Sequence, residues 1–316
     1  MTNMTKMASW LFSVLLAGAC AFAQNDDRKM QRNLELVKQL GGETGIVYKT
    51  VNGESLDMIL FRPLVKKYEK APVMLYTHGG GWGGGDKYVI LGNPFQATLT
   101  QLLSNGIACA TIEYRLTRPG ISTAFDCVVD CKDAARFLMK NAERYGLDPD
   151  RMGVWGGSAG GHLSLMTALA DNALFPGDEA LKGFDPKFRC VASYFPATTF
   201  EKPELLVGSN FERPERFVTM LGGLPDQKRD LLTLISPATH LKKDSPPILL
   251  LHGDKDTVLP IGLSTYFIEL ANELGADARL LTVKNAGHSF NGGPIDPTMP
   301  EINRISAEFI IEHLVK

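Results

Sequence analysis

The chain has 316 residues, 44% of them hydrophobic and 22% charged, with 31 Gly, 18 Pro and 5 Cys. That hydrophobic share excludes a disordered chain, no internal repeat points to a fibre or solenoid, and a core of this size needs no disulfide staples. With 33 Lys+Arg against 35 Asp+Glu and no basic run, the electrostatic footprint of a nucleic-acid binder is missing, and a small or neutral partner is expected.

Residues 1–23 read as a processing segment. Lys6 precedes an apolar stretch from Trp10 to Cys20, which ends at Ala21-Phe22-Ala23. A charged start, a short apolar run and an A-x-A terminus are the pattern of a secretory signal peptide. The run falls short of the roughly 20 apolar residues that cross a bilayer, so no stable membrane span is expected. Cys20 after small residues raises a lipoprotein alternative, but Ala17 stands where a large aliphatic residue is usual. Cleavage before Gln24 leaves residues 24–316 as one exported domain, periplasmic or extracellular. There Cys109, Cys127, Cys131 and Cys190 meet an oxidising compartment. They form either up to two bridges or small buried thiols. No C-x-x-C or H-E-x-x-H spacing occurs, so no metal is expected.

After a helical lead-in over residues 25–40, alternating apolar residues predict strands over 44–51 and 55–62, with a turn at Asn52-Gly53. Short apolar runs predict further strands over 72–77, 107–114, 152–155, 190–195, 248–251 and 279–283. Helical spacing predicts helices over 93–104, 126–145, 159–170, 262–274 and 301–315. Strands alternating with helices imply an α/β fold with a mostly parallel central sheet, and the opening hairpin an antiparallel edge. Residues 196–241 contain no clear strand but hold Phe200, Phe211 and Phe217. They are expected to form a small lid-like insertion.

Three constellations carry chemistry. Gly156-Gly157-Ser158-Ala159-Gly160 lies between a predicted strand and a predicted helix. G-x-S-x-G in that setting is a nucleophile elbow: a tight turn exposes Ser158 at the carboxyl edge of the sheet, and the next helix aims its N–H groups at the same point. A second motif, His78-Gly79-Gly80-Gly81-Trp82, follows the strand over 72–77 and offers backbone amides to a developing oxyanion. Gly79-x-Gly81-x-x-Gly84 also matches the dinucleotide fingerprint, but no helix opens there and no acid follows at the required distance. A bound dinucleotide is therefore not expected, and no phosphate-binding G-x-x-x-x-G-K-[ST] exists.

The third constellation joins two loops. The strand over 248–251 leads to His252-Gly253-Asp254-Lys255-Asp256, and the strand over 279–283 leads to Ala286-Gly287-His288. In a parallel sheet both loops emerge beside Ser158. A serine needs an imidazole to take its proton, and the imidazole needs a carboxylate to fix its tautomer. Of the six histidines, His78 belongs to the glycine loop, His162 lies inside the elbow helix, His252 braces the acid loop, and His240 and His313 have no partner motif. His288 is the candidate base; Asp254 and Asp256 both stand as candidate acids.

The run from Asp148 to His162, with His78–Trp82, Glu113-Tyr114-Arg115-Leu116, residues 252–260 and Gly287-His288, resembles the α/β-hydrolase superfamily. Within it, the chain is similar to bacterial carboxylesterases of the hormone-sensitive-lipase-like and feruloyl/acetyl esterase groups. The resemblance implies an α/β-hydrolase fold and a serine carboxylesterase without cofactor or metal. It also implies Ser158 as nucleophile, Asp256 rather than Asp254 as acid, and His288 as base, with Gly80, Gly81 and Ala159 as the oxyanion hole. Leu116 is followed by Thr117-Arg118-Pro119-Gly120 rather than the Ala-Pro-Glu common in lipase-like relatives, which favours the polysaccharide-ester branch. Acetyl or feruloyl esters of plant cell-wall polysaccharide are the expected substrates. The alternatives are a peptidase of the same superfamily, a lipase-like esterase for short acyl chains, and a non-catalytic binding module on the same scaffold.

Overall fold

Along strand β3 (Ala71–Thr77) every residue is buried, yet the strand serves two cores. Val73 and Leu75 join one apolar cluster, while Met74 and Tyr76 join the other. That is the two-residue period of a strand covered on both faces. The computed structural model describes residues 27–315. It builds a nine-stranded sheet in the order β1-β2-β4-β3-β5-β6-β7-β8-β9. The other strands are β1 (Gly42–Val51), β2 (Glu54–Phe61), β4 (Ala108–Ile112), β5 (Leu147–Gly157), β6 (Phe188–Tyr194), β7 (Ile248–Gly253), β8 (Ala278–Ala286) and β9 (Gly292–Asp296). From β4 to β8 neighbouring strands are parallel, whereas β1, β2 and β9 pair antiparallel.

The helices are α1 (residues 27–39), α2 (Gln96–Ser104), α3 (Ala124–Lys140), α4 (Ala142–Tyr145), α5 (Ala159–Leu169), α6 (Arg216–Leu221), α7 (Arg229–Leu234), α8 (Gly262–Leu274) and α9 (Met299–Val315). One face of the sheet carries α3, α5 and α8, and the other carries α1, α2 and α9. Helices on both faces of a mostly parallel sheet with antiparallel edges are the α/β-hydrolase fold that the resemblance implied. Among the described residues no helix is long and apolar enough to cross a membrane.

Several boundaries differ from the sequence reading. The expected helix over 93–104 begins only at Gln96, behind Pro94, and a 3-10 turn (Lys87–Leu91) precedes it. The helix expected over 126–145 breaks at Asn141 into α3 and α4. Strand β9 was not expected, because Gly292-Gly293-Pro294 reads as a loop; proline and glycine are tolerated there since β9 is an edge. The four cysteines, for which bridges and thiols both stood open, are buried and unbridged. The expected signal peptide on residues 1–23 lies outside the described residues.

The register sets up the site. Thr77 pairs with Gly156, Gly156 with Ser193, Tyr194 with Leu251, and Gly253 with Val283. Strands β3, β5, β6, β7 and β8 therefore finish at one sheet edge, and their carboxyl-end loops share a single crevice.

Candidate active site

Ser158 sits between β5 and α5 with φ 59° and ψ −124°. A non-glycine residue held in such a region stores about 1–3 kcal/mol of strain, so its surroundings must hold it there. The Ser158 N–H donates to Tyr194 O at 2.9 Å. Small neighbours let the segments close in: a Cβ added at Gly160 would lie 2.0 Å from Thr77 O, and one at Gly156 would lie 2.4 Å from the same oxygen. The strain thus turns the hydroxyl outward at the start of a helix whose first N–H groups have no intrahelical acceptor.

The loop after β8 brings His288 Nε2 to 2.9 Å from Ser158 Oγ. His288 Nδ1 lies 2.8 Å from Asp256 Oδ2. A carboxylate only accepts, so Nδ1 carries the proton and Nε2 is left as the acceptor for the serine O–H. Asp256 is fixed in turn, its Oδ1 accepting from the N–H groups of Val258 and Leu259 at 2.8 and 2.9 Å. Burial alone would raise its pKa, but hydrogen bonds from His252 and His288 outweigh burial and hold it well below the usual carboxylate range. Asp256 is therefore ionised at any pH where the imidazole is needed.

The other carboxylate of that loop goes elsewhere. Asp254 Oδ1 is buried without a hydrogen-bond partner, and His288 meets Asp256 instead. Sequence alone left these two open, and the register of the turn after β7 separates them.

The remaining histidines lock loops together. His252 Nε2 donates to Leu259 O at 2.8 Å and lies 3.4 Å from Asp256 Oδ2, while Nδ1 accepts from the Ser264 hydroxyl at 2.7 Å. His78 stacks on Tyr114 at a centroid separation of 4.2 Å, and Tyr114 Oη donates to His78 O. His162 Nδ1 accepts from Trp82 Nε1 at 3.1 Å, which leaves Nε2–H for Ile235 O at 2.7 Å. Burial pushes the pKa of both His78 and His162 down to about 4, so both are neutral at pH 7. Within Glu113-Tyr114-Arg115-Leu116, Arg115 pairs with Asp126 and the buried Asp130 at 2.9 and 2.8 Å. That motif fastens α3 to the glycine loop.

Gly80 and Gly81 have φ of 126° and 61° and line the crevice opposite Ser158, while Ala159 is the first residue of α5. The crevice encloses about 420 Å³, and Trp82, Phe95, Phe195, Phe211, Val258 and Leu259 make its wall largely apolar. Two features of this wall were not read from the sequence. Phe195 has φ 38° and sets its ring edge against His288, with centroids 4.8 Å apart. Phe211, from the segment joining β6 to β7, reaches the crevice and packs on Trp82. The clustered aromatics at 200, 211 and 217 were the only hint of that approach. Among the described residues no group of three His, Cys, Asp or Glu is placed to hold a metal ion.

Known proteins share this frame. Residues 58–270 match the model of the BD-FAE family. The esterase LipQ of Mycobacterium tuberculosis is 30% identical over 255 residues, covering 78% of this chain and 56% of that protein. The chain spans less than two thirds of the length of the curated relatives it first matches. Among solved structures, the thermophilic esterase Est2 of Thermogutta terrifontis superposes with a TM-score of 0.70 at 24% identity, covering 86% of this chain and 92% of that one. A truncated carbohydrate esterase from gut microbiota gives 0.69 at 22% identity, covering 87% and 96%.

Proposed function

The chain belongs to the BD-FAE family, and we propose that it is a serine carboxylic-ester hydrolase working through an acyl-enzyme. One observation carries this reading: the unbroken relay from Ser158 Oγ through His288 to Asp256, with steps of 2.9 and 2.8 Å. Ser158 Oγ bonds to the ester carbonyl carbon as its proton passes to His288 Nε2. The tetrahedral oxyanion lies against the amides of Gly80, Gly81 and Ala159, each such donor contributing about 3 kcal/mol. The C–O bond to the alcohol breaks as His288 returns the proton to the leaving oxygen. Water then adds to the acyl carbon with His288 as base, the acid departs, and Ser158 regains its proton.

The substrates proposed are acetyl or feruloyl esters of plant cell-wall polysaccharide. A largely apolar crevice of about 420 Å³ beside the serine suits an acyl group. The motif pattern after Leu116 and a carbohydrate esterase of the same fold support a sugar as the alcohol. Residues 24–316 are proposed to act as one exported domain, with 196–241 as its lid.

The test is hydrolysis of p-nitrophenyl acetate by the wild type and by Ser158→Ala, followed by a panel of acetylated xylan, methyl ferulate and aminoacyl amides. Turnover should fall by roughly 10⁶-fold in the variant. Retained turnover would assign the nucleophile elsewhere, and preference for the amides would make the protein a peptidase.

A further inference from the structure

A second cleft adjoins the crevice. It encloses about 700 Å³ between α1 and the segment following the glycine loop, and it shares Gly85, Val89 and Asn93 with the crevice that holds Ser158. Its far wall is α1, which contributes Arg28, Lys29 and Arg32. All three are exposed, and none pairs with a carboxylate among the described residues. The cleft holds one opposing charge, Asp86, and an oxygen of that carboxylate accepts from Tyr88 N at 2.9 Å. Asp27 and Glu35, the acids of α1, do not line it. A chain of net charge −2 has thus gathered three cations against one carboxylate beside its candidate nucleophile.

We infer that this cleft is a subsite for a carboxylate-bearing saccharide, so that the favoured alcohol portion of the substrate is a uronate-containing glycan. The inference rests on the ester-hydrolase reading for its consequence, though binding itself does not require catalysis. A polysaccharide crossing the rim at Gly85, Val89 and Asn93 would place an acylated sugar at Ser158 and its neighbour against α1. Arg28 and Arg32 offer planar forks that match a carboxylate, and Asn33 and Asn93 offer both donors and acceptors to sugar hydroxyls. A neutral sugar in place of the uronate would keep the asparagine contacts but gain nothing from the arginine forks.

The experiment uses the whole protein and the triple variant Arg28→Gln/Lys29→Gln/Arg32→Gln, whose changes lie at exposed positions. Calorimetric titration with de-esterified oligogalacturonide should show binding by the wild type at low salt, weakened by about 0.5 M NaCl and lost in the variant. A neutral xylo-oligosaccharide should bind both proteins equally. In turnover, the variant should raise KM on acetylated oligogalacturonide about tenfold with kcat unchanged, and should leave p-nitrophenyl acetate hydrolysis untouched. Equal binding of oligogalacturonide by both proteins, or none by the wild type, overturns the subsite. Wild-type binding without hydrolysis of any ester overturns the esterase reading and leaves the subsite standing.

Discussion

Trp82 and His162 are joined by a single hydrogen bond of 3.1 Å, which couples the glycine loop to the helix that begins at Ser158. The indole only donates, so it fixes which imidazole nitrogen is bare. His162 then passes the tie on to Ile235 in the segment joining β6 to β7. Three elements that never pair in the sheet are thereby held in one geometry. Replacing Trp82 with Phe keeps the ring and removes the donor, leaving a buried acceptor without a partner. Stability in urea should fall by about 1–3 kcal/mol, with kcat on p-nitrophenyl acetate lowered and KM little changed. Unchanged stability and kcat would show that the bond positions nothing.

Acid should destabilise the protein in a defined window. His78 and His162 have folded pKa values of about 4, below their ordinary 6.5. Between those values the unfolded chain binds more protons than the folded one, so stability falls as pH drops from 6.5 towards 4 and levels off below. Each contributes on the order of 3 kcal/mol. Asp256 acts in a lower range, because its depressed pKa keeps its contribution until the pH falls below the ordinary carboxylate value. Urea unfolding at intervals from pH 7 to 4 checks this, and a flat profile would contradict it.

The two carboxylates of the loop after β7 should separate cleanly. Asp256→Asn removes the acceptor from His288 and should cost about 10⁴-fold in kcat. Asp254→Asn leaves the relay intact and should stay within about tenfold of the wild type. Reversed magnitudes would move the acid to Asp254.

Gly79 tests how closely the glycine loop approaches the elbow. A Cβ there would lie 2.8 Å from Gly157 O and 3.3 Å from Ser158 Cβ. Gly79→Ala should push the two apart and lower kcat about 100-fold, the usual consequence of a misplacement near 1 Å. Wild-type kcat in a folded Gly79→Ala would mean the contact relaxes without moving Ser158.

Phe211 lines the crevice and packs edge-on against Trp82 and Phe217, with centroids 5.8 and 5.5 Å away. Phe211→Ala should open the wall and shift preference among p-nitrophenyl esters towards longer acyl chains, while acetate turnover changes little. An unaltered chain-length profile would place acyl selection elsewhere.

The parts of this molecule legible in the sequence were those governed by local rules. Six glycines over 79–85 and five over 153–161 marked the places where backbones must close in, and the strand alternation gave the sheet. His288 was reachable because loops after parallel strands share an edge. The choice of Asp256 was not local: it depends on which turn residue faces a loop 32 positions away, and only the resemblance supplied it. His162 lies inside the elbow helix, where nothing local marks its tie to Trp82 across 80 residues. The segment over 196–241 gave no periodicity because short helices and single-turn 3-10 pieces build it. Side chains such as Ser236, which donates to Leu232 O and accepts from Phe200 N, hold it together.

The four cysteines carry a practical corollary for how the protein is made. Cys127 spends its thiol on carbonyls, donating to Arg115 O and Thr123 O at 3.1 and 3.4 Å, and burial pushes Cys190 up to about 12. Thiols that stay protonated and screened from solvent give oxidants and exchange partners no thiolate to attack. Among the described residues no bridge therefore calls for an oxidase or isomerase, and the folded domain is expected to keep these four thiols in reducing and oxidising buffer alike, as thiol titration would show.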